Sequence, residues 1–326
     1  MSAGAQNVRE RCGYRLIFWN VENVFDIWDD PSHDDDEFTP RGKNGWTRKR
    51  YDDKLGKLGK TIIAMGARDS GEFEMPLLVG MAEVENAKVL RDLCSGTMIR
   101  KYGYDFVHFE SPDSRGIDNA LLYRKELYRP FLTKAINVSD SVRGFFTRDL
   151  LLVEGITATD DTLIVVVCHF PSRRGGSSAD RRRSSVARHL RETMDTLAAV
   201  HPRAAVVVMG DFNTTPDDAK VERILLGGEG RGGEFVNLMS GKKEGSYKFR
   251  GRWSCLDQII VLRRMVEGLA PLRVDGTEGR IFNAGFLLVD DEKDMGYKPR
   301  RTYSGPRYEG GVSDHLPVFV DLKRVE

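Results

Sequence analysis

Hydrophobic residues in this chain gather into short blocks separated by polar breaks. Nine runs rich in Val, Ile, Leu and Phe read as strands: 14–21, 76–84, 104–110, 119–124, 151–156, 162–170, 204–212, 256–262 and 316–322. Helical periodicity is rarer. Tyr51, Leu55, Leu58 and Ile62 fall on one stripe of a helix over 51–67, and Val186, Leu190, Met194 and Leu197 do so over 181–200. Asn86 is placed to cap a short helix carrying Val89, Leu90 and Leu93. Many strands and few helices predict two mixed sheets packed face to face with helices outside, a four-layer α/β sandwich. The pattern shows no repeat and no linker, so residues 14–322 read as one domain after an extension over 1–13. The stretches 227–235 and 290–312 read as long surface loops.

Composition adds exclusions. The chain of 326 residues is 40% hydrophobic and 30% charged, an ordinary globular mixture. Its 50 Lys plus Arg nearly cancel its 49 Asp plus Glu, so no overall field draws it to nucleic acid. Charge is uneven locally: 26–37 is acidic and 173–191 strongly basic. No window approaches the roughly 20 apolar residues of a membrane-spanning helix. The first ten residues lack the apolar centre of a signal peptide, which makes a cytoplasmic location the default; SAGAQ would fit the remnant of a cleaved signal and hence export. The four cysteines form no CxxC pair, which disfavours zinc. Cys168 and Cys255 read as buried thiols; a disulfide stays open as an alternative.

The polar breaks carry the candidate chemistry. In VVVMGDFNTT, a strand runs into Asp211 and Asn213, which strand alternation would point the same way. An Asx turn is the plainer explanation of such a pair. Other strands end alike, with Asn20 and Glu22, with Glu83 and Glu85, and with His169, while Asp257 and the pair Asp314–His315 precede two more. Singly, each is an ordinary cap or turn residue. Together they would line one sheet rim, where open α/β folds build their sites.

These motifs in this order, GDFN, then LDQIIV, then a C-terminal SDHLPV, resemble the endonuclease/exonuclease/phosphatase superfamily, with the deoxyribonuclease I-like fold. The resemblance covers about Tyr14 to Leu322. The segment 34–55 stands outside the common core and looks like an insertion of a bacterial subgroup. The resemblance implies a divalent-metal-dependent phosphoesterase, best read as a nuclease or phosphodiesterase. A phospholipid headgroup, sugar phosphate or nucleotide is the alternative substrate, and an inactive binding protein the alternative class. It implies metal binding by Glu83, Asn20 and Asp314, and less directly Glu22. Asp211 would orient or deprotonate water, with Asn213 beside it on the phosphate. His315 would contact the scissile phosphate with Asp257 as its partner, and His169 would face the phosphate as a second histidine.

Elementary chemistry agrees. Oxygen ligands favour Mg²⁺ or Mn²⁺ over zinc, and a His held by Asp keeps its proton near neutral pH. Arg173, four residues past His169, reads as a phosphate contact, with Arg174 beside it on the rim. Arg181 to Arg183 read as a solvated helix face. Lys298, Arg300, Arg301 and Arg307 are candidates for the facing wall of a cleft, and Trp253 stands evenly between base stacking and core. The expected partners are a phosphoester substrate, DNA or RNA among them, with the protein acting as a monomer.

Overall fold

Two mixed sheets form the core of the computed structural model, which describes residues 13–173, 176–227 and 233–324. The first contains β1 (Gly13–Val24), β2 (Leu78–Val84), β3 (Tyr104–His108) and β4 (Asp118–Arg124), with the later strands Leu272–Val274, Arg280–Ile281 and Val318–Arg324. Its order is 272–274, 318–324, β1, β2, β4, β3, with 280–281 also on 318–324. The second contains β5 (Tyr128–Ile136), β6 (Leu150–Thr157), β7 (Thr162–His169), β8 (Ala205–Asp211) and β9 (Phe235–Asn237). The strand Asp257–Leu262 lies between β8 and β9. Each sheet has one parallel pair, β1 with β2 and β7 with β8; the other pairs are antiparallel.

Alternation along β1 builds the layers. Leu16 and Phe18 point between the sheets, in one cluster with Val165, Val167, Val207 and Met209. Ile17 and Trp19 point outward beneath the helices Arg48–Ala64 and Ala87–Gly96, through Leu55, Leu58, Ile62, Leu90 and Leu93. The helix Ser177–Val200 covers the second sheet with Val186, Leu190, Met194 and Leu197. The sheets approach closely at Gly80, where a Cβ would lie 2.8 Å from Met209 Cε and 3.2 Å from Val167 Cγ2. The predicted four-layer α/β sandwich is the observed one.

Local differences have simple causes. Asn86 does cap its helix, accepting from the Val89 amide at 3.0 Å. The other two helices begin earlier than their apolar stripes, at Arg48 and Ser177, because the first turn faces solvent. β5 escapes the hydrophobic pattern because it is an edge strand whose middle is exposed, with a bulge between Pro130 and Leu132. The stretch 290–312 is no plain loop: 297–299 pairs with 288–290, and 303–304 with 307–308. Cys94, Cys168 and Cys255 are buried free thiols; Cys12, SAGAQ and the tip 228–232 of the glycine-rich loop lie outside the described residues. Among the described residues no helix is long and apolar enough to cross a membrane.

The segment 34–55 packs against 302–310. Phe38 stacks on Phe25 at 4.3 Å, and buried Trp46 lies 6.0 Å from the Tyr303 ring while its Nε1 donates to the Phe25 carbonyl at 2.9 Å. Lys57 donates to the Gly310 carbonyl at 2.6 Å. This packing seats the helix that begins at Arg48 under the ends of β1 and β2.

Candidate active site

The two parallel pairs end at the same rim, and there the backbone leaves the ordinary β region. Glu22, Asn23, Glu83 and Asn213 have φ of 52°, 50°, 66° and 49°. The ladder between β1 and β2 shifts register between Asn20 and Val24. Left-handed backbone at four non-glycine residues is costly, and such residues concentrate where side chains must be aimed.

Asp211 is the hub. Its Oδ2 accepts from Asn20 Nδ2 at 3.1 Å, across the gap between the sheets. The same oxygen lies 3.6 Å from His169 Nε2 and 3.9 Å from His315 Nε2. Its Oδ1 accepts from the Asn213 amide at 2.8 Å. Asn20 Nδ2 also reaches Glu83 Oε1 at 3.3 Å, and that oxygen is 3.9 Å from His169 Nε2. His315 Nδ1 is bound to Asp257 Oδ2 at 2.7 Å, both side chains being buried. The Tyr247 ring lies 4.8 Å from the His315 ring.

Burial and charge set the protonation of these groups. Burial, then the Asp257 charge, raise Asp211 to about 7, against the pull of His315 and of the Asn213 and Asn20 donors. For His315 burial favours the neutral ring, but Asp257 and Asp211 outweigh it and hold the imidazole well above its usual range. His169 goes the other way: burial, then Arg148, Arg115 and His315, push it well below. One ring therefore stays charged and the other neutral, either side of one carboxylate. His169 Nδ1 and Asp257 Oδ1 are buried with no hydrogen-bond partner among the described residues.

A second group lies behind Glu83. The Glu22 carboxylate accepts from the Thr302 amide at 2.6 Å, and burial followed by the Asp314 charge raise it to about 7. Buried Lys54 donates to the Glu22 carbonyl and, at 2.7 Å, to Thr302 Oγ1; burial lowers it to about 8 despite the charges of Glu22, Glu83 and Asp314. Asp314 Oδ2 accepts from Arg301 at 2.7 Å.

The strand-end residues Asn20, Glu22, Glu83, His169, Asp211, Asp257, Asp314 and His315 thus meet at one rim, and three other readings are corrected. The alternation argument for Asn213 fails, because β8 ends at Asp211. Asn213 sits in an Asx turn, and its Nδ2 donates to the Phe170 carbonyl at 2.9 Å, 3.5 Å from Asp211 Oδ2. Arg183 is no solvated residue: it is buried against Asp180 and the Ser172 carbonyl, while Arg181 and Arg182 are exposed. The late basic cluster disperses in part: Lys298 pairs with Asp291 and Arg307 with Glu309, while Arg301 pairs with Asp314 at the site. Arg173 is exposed beside the rim, its Nε donating to the Asn213 carbonyl at 2.9 Å. Arg174 lies outside the described residues. Trp253 packs half-buried against the outer core.

Sequence reasoning missed Lys54, Arg148 and Tyr247. Lys54 had a signal, a cation on the apolar stripe between Tyr51 and Leu58. Arg148, buried against Asp113 at 2.9 Å and the Phe170 carbonyl at 2.9 Å, had none.

The comparisons agree with this geometry. A family model described as "Endonuclease/Exonuclease/phosphatase family" matches residues 15–324. No curated protein matches the chain. Among solved structures, a mannosyl-6-phosphatase of Bacteroides thetaiotaomicron is 15% identical, with a TM-score of 0.59 over 95% of this chain and 99% of its own. The human nocturnin catalytic domain with bound sulfate is 14% identical, with a TM-score of 0.58 over 96% and 95%. D. rerio TDP2 in complex with single-strand DNA product is 17% identical, with a TM-score of 0.56 over 95% and 99%. At these identities the likeness carries the fold. The family match spans the molecule from its first strand to its last, and this chain belongs to the endonuclease/exonuclease/phosphatase family of phosphoester-hydrolysing enzymes.

Proposed function

We propose that the enzyme hydrolyses phosphodiesters with the help of a divalent cation, Mg²⁺ or Mn²⁺, and that a nucleic acid strand is its preferred substrate. The observation that carries this reading is Asp211, a carboxylate raised to about 7 and placed between a charged and a neutral histidine.

The residues fit a hard cation. Glu22, Glu83 and Asp314 set three carboxylates against two cationic neighbours, Lys54 and Arg301. Glu83, Asn20 and Asp314, with Glu22 behind them, are the oxygen donors that would hold the ion. Asp211, Asp257 and His315 lie close enough to one another to share an ion. That triad is the poorer site, because an imidazole kept protonated by its carboxylates has no lone pair to give. Bound at Glu83, the cation would neutralise phosphate charge and polarise a phosphoryl oxygen.

The chain's own groups do the rest. Asp211, its lone pairs oriented by Asn20 and the Asn213 amide, takes the proton of the attacking water; a carboxylate raised to about 7 is matched to that task near neutral pH. His315, charged and fixed by Asp257, presents Nε2–H to the phosphoryl oxygen where negative charge grows. Neutral His169 offers Nε2 as a second donor without adding charge. Arg173 stands at the rim for a flanking phosphate.

A small phosphate ester is the second reading. The net charge is +1 and the cations Arg148, Arg183 and Arg301 are already paired, which leaves little free charge for a long polyanion. Hydrolysis of plasmid DNA, bis-p-nitrophenyl phosphate and p-nitrophenyl phosphate, in Mg²⁺, Mn²⁺ or EDTA, separates the two. The nuclease reading expects metal-dependent cleavage of DNA and the diester, lost by roughly 10²–10⁴ in Asp211→Asn. Turnover of the monoester alone would replace it with the phosphatase, and equal activity in EDTA would remove the metal from the mechanism.

A further inference from the structure

The segment 34–55 takes no part in the chemistry derived above, yet it delivers one group to the site. Lys54 lies on the inner stripe of the helix Arg48–Ala64 with Tyr51, Leu55 and Leu58, and it is 1% exposed. A lysine so buried is costly unless its ammonium is fully met. Its partners are oxygens: the Glu22 carbonyl and, at 2.7 Å, Thr302 Oγ1. The Glu22 carboxylate is held beside them on the Thr302 amide at 2.6 Å. The charges of Glu22, Glu83 and Asp314 all act on the ammonium.

The placement is enforced from two sides. Within the segment, Arg50 donates to the Asn44 and Gly45 carbonyls at 2.6 and 2.8 Å, and its guanidinium lies 4.3 Å from the centre of the Tyr308 ring. The Tyr303 hydroxyl donates to the Asn44 carbonyl at 3.0 Å. The strap tied down in this way also carries Thr302, which meets Lys54, and Arg301, which donates to Asp314 at 2.7 Å. Helix and strap together bring two monovalent cations to three carboxylates.

A carbonyl, a hydroxyl and a carboxylate are the hard oxygen donors that a divalent cation takes. Here an ammonium stands among them. Charge points the same way. Glu22, Glu83 and Asp314 against Lys54 and Arg301 leave one net negative charge. One divalent ion turns that into one positive charge, and a second would make it three.

We infer that Lys54 stands in for a second divalent ion: its ammonium fills the oxygen set of Glu22 and Thr302, and the site holds one Mg²⁺ or Mn²⁺ and not two. The inference rests on the metal-dependent reading above. Lys54 touches neither substrate nor reacting atoms; it is a positioning residue that sets the number of ions.

Titration of the full chain with Mn²⁺, with bound ions counted and their electron paramagnetic resonance recorded, tests this. In Lys54→Met the side chain ends one atom short, so the ammonium's place and charge are vacated while the stem stays packed. The wild type is expected to show the spectrum of isolated ions. Lys54→Met should bind one ion more than the wild type, and its spectrum should be spin-coupled, because ions that share a two-metal site lie roughly 3.5–4 Å apart. Glu83→Gln added to Lys54→Met should abolish the coupling. Equal ion counts in the wild type and Lys54→Met, or a coupled spectrum in the wild type, would overturn the proposal. A merely structural lysine would lower the stability of the variant and leave count and spectrum unchanged. Absence of any bound ion from the wild type would instead remove the metal-dependent reading itself. Should Lys54→Met fail to fold, Lys54→Gln, whose amide still donates to the Glu22 carbonyl, decides by the same two readouts.

Discussion

The pairing of His315 with Asp257 makes the sharpest prediction. Asp257→Asn keeps the side chain's shape and the Ser246 hydroxyl that receives the backbone amide at 3.2 Å, but removes the charge. Both side chains are buried, 7% and 0% exposed, so solvent screens the pair weakly. Two unit charges about 4 Å apart at an effective dielectric near 20 interact by about 4 kcal/mol. Asp211, at 3.9 Å from the same ring, remains and supplies part of that. A loss of about 2–4 kcal/mol in transition-state stabilisation is roughly 30- to 1000-fold in kcat at neutral pH. The pH dependence has a definite sign. Asp257 and Asp211 raise the ring above its free range, so its charge is present on the acid side and is lost as pH rises. Without Asp257 that loss begins at lower pH. The deficit is therefore smallest in acid and grows with pH in a kcat profile on bis-p-nitrophenyl phosphate from about pH 5 to 9 at saturating Mg²⁺. A deficit constant across pH would mean Asp257 acts by position and not by charge, and a loss below about threefold would remove it from the mechanism.

Three further changes test other parts of the molecule. Lys54→Met removes a buried cation from among Glu22, Glu83 and Asp314; urea unfolding in EDTA should show a loss of about 3–5 kcal/mol, narrowed by Mg²⁺, and an unchanged midpoint would contradict the charge balance drawn above. Gly80→Ala forces a methyl group against Met209 and Val167 between the sheets and should cost about 1–3 kcal/mol in the same assay. For Asp321, burial favours the neutral acid, but Arg15, Arg68 and Arg280 outweigh it and lower the carboxyl, so its contribution is present above the ordinary Asp range and is lost as pH falls through the lowered value. Asp321→Asn should therefore destabilise by about 3–5 kcal/mol at pH 7, and the gap should narrow as pH falls below the ordinary Asp range; a gap independent of pH would assign the effect to packing.

The legible parts of this chain are those where one physical demand dominates. β1, β2, β7 and β8 are buried on both faces, so their composition is unambiguous, and the polar residues that end them stand out against it. β5 was illegible because an edge strand needs no continuous apolar face. Alternation placed Asp211 correctly and failed at Asn213, two residues on, because the backbone had turned left-handed. Lys54 and Tyr247 reach the site from a helix and a hairpin that no local pattern connects to the rim. Lys298 and Arg307 were over-read because a cation's partner, here Asp291 or Glu309, is a property of the folded loop.

The hydrogen bond from Asn20 to Asp211 joins the two sheets, and its position has a consequence for how activity is lost. Asn20 and Glu83 ride on one slab of the sandwich, Asp211 and His169 on the other. Any sliding of the slabs by one ångström misplaces water relative to phosphate before a single strand has frayed. Activity should therefore vanish ahead of secondary structure when the molecule is heated or sheared. It becomes a vernier on the alignment of the two halves, finer than any spectroscopic signal of the fold.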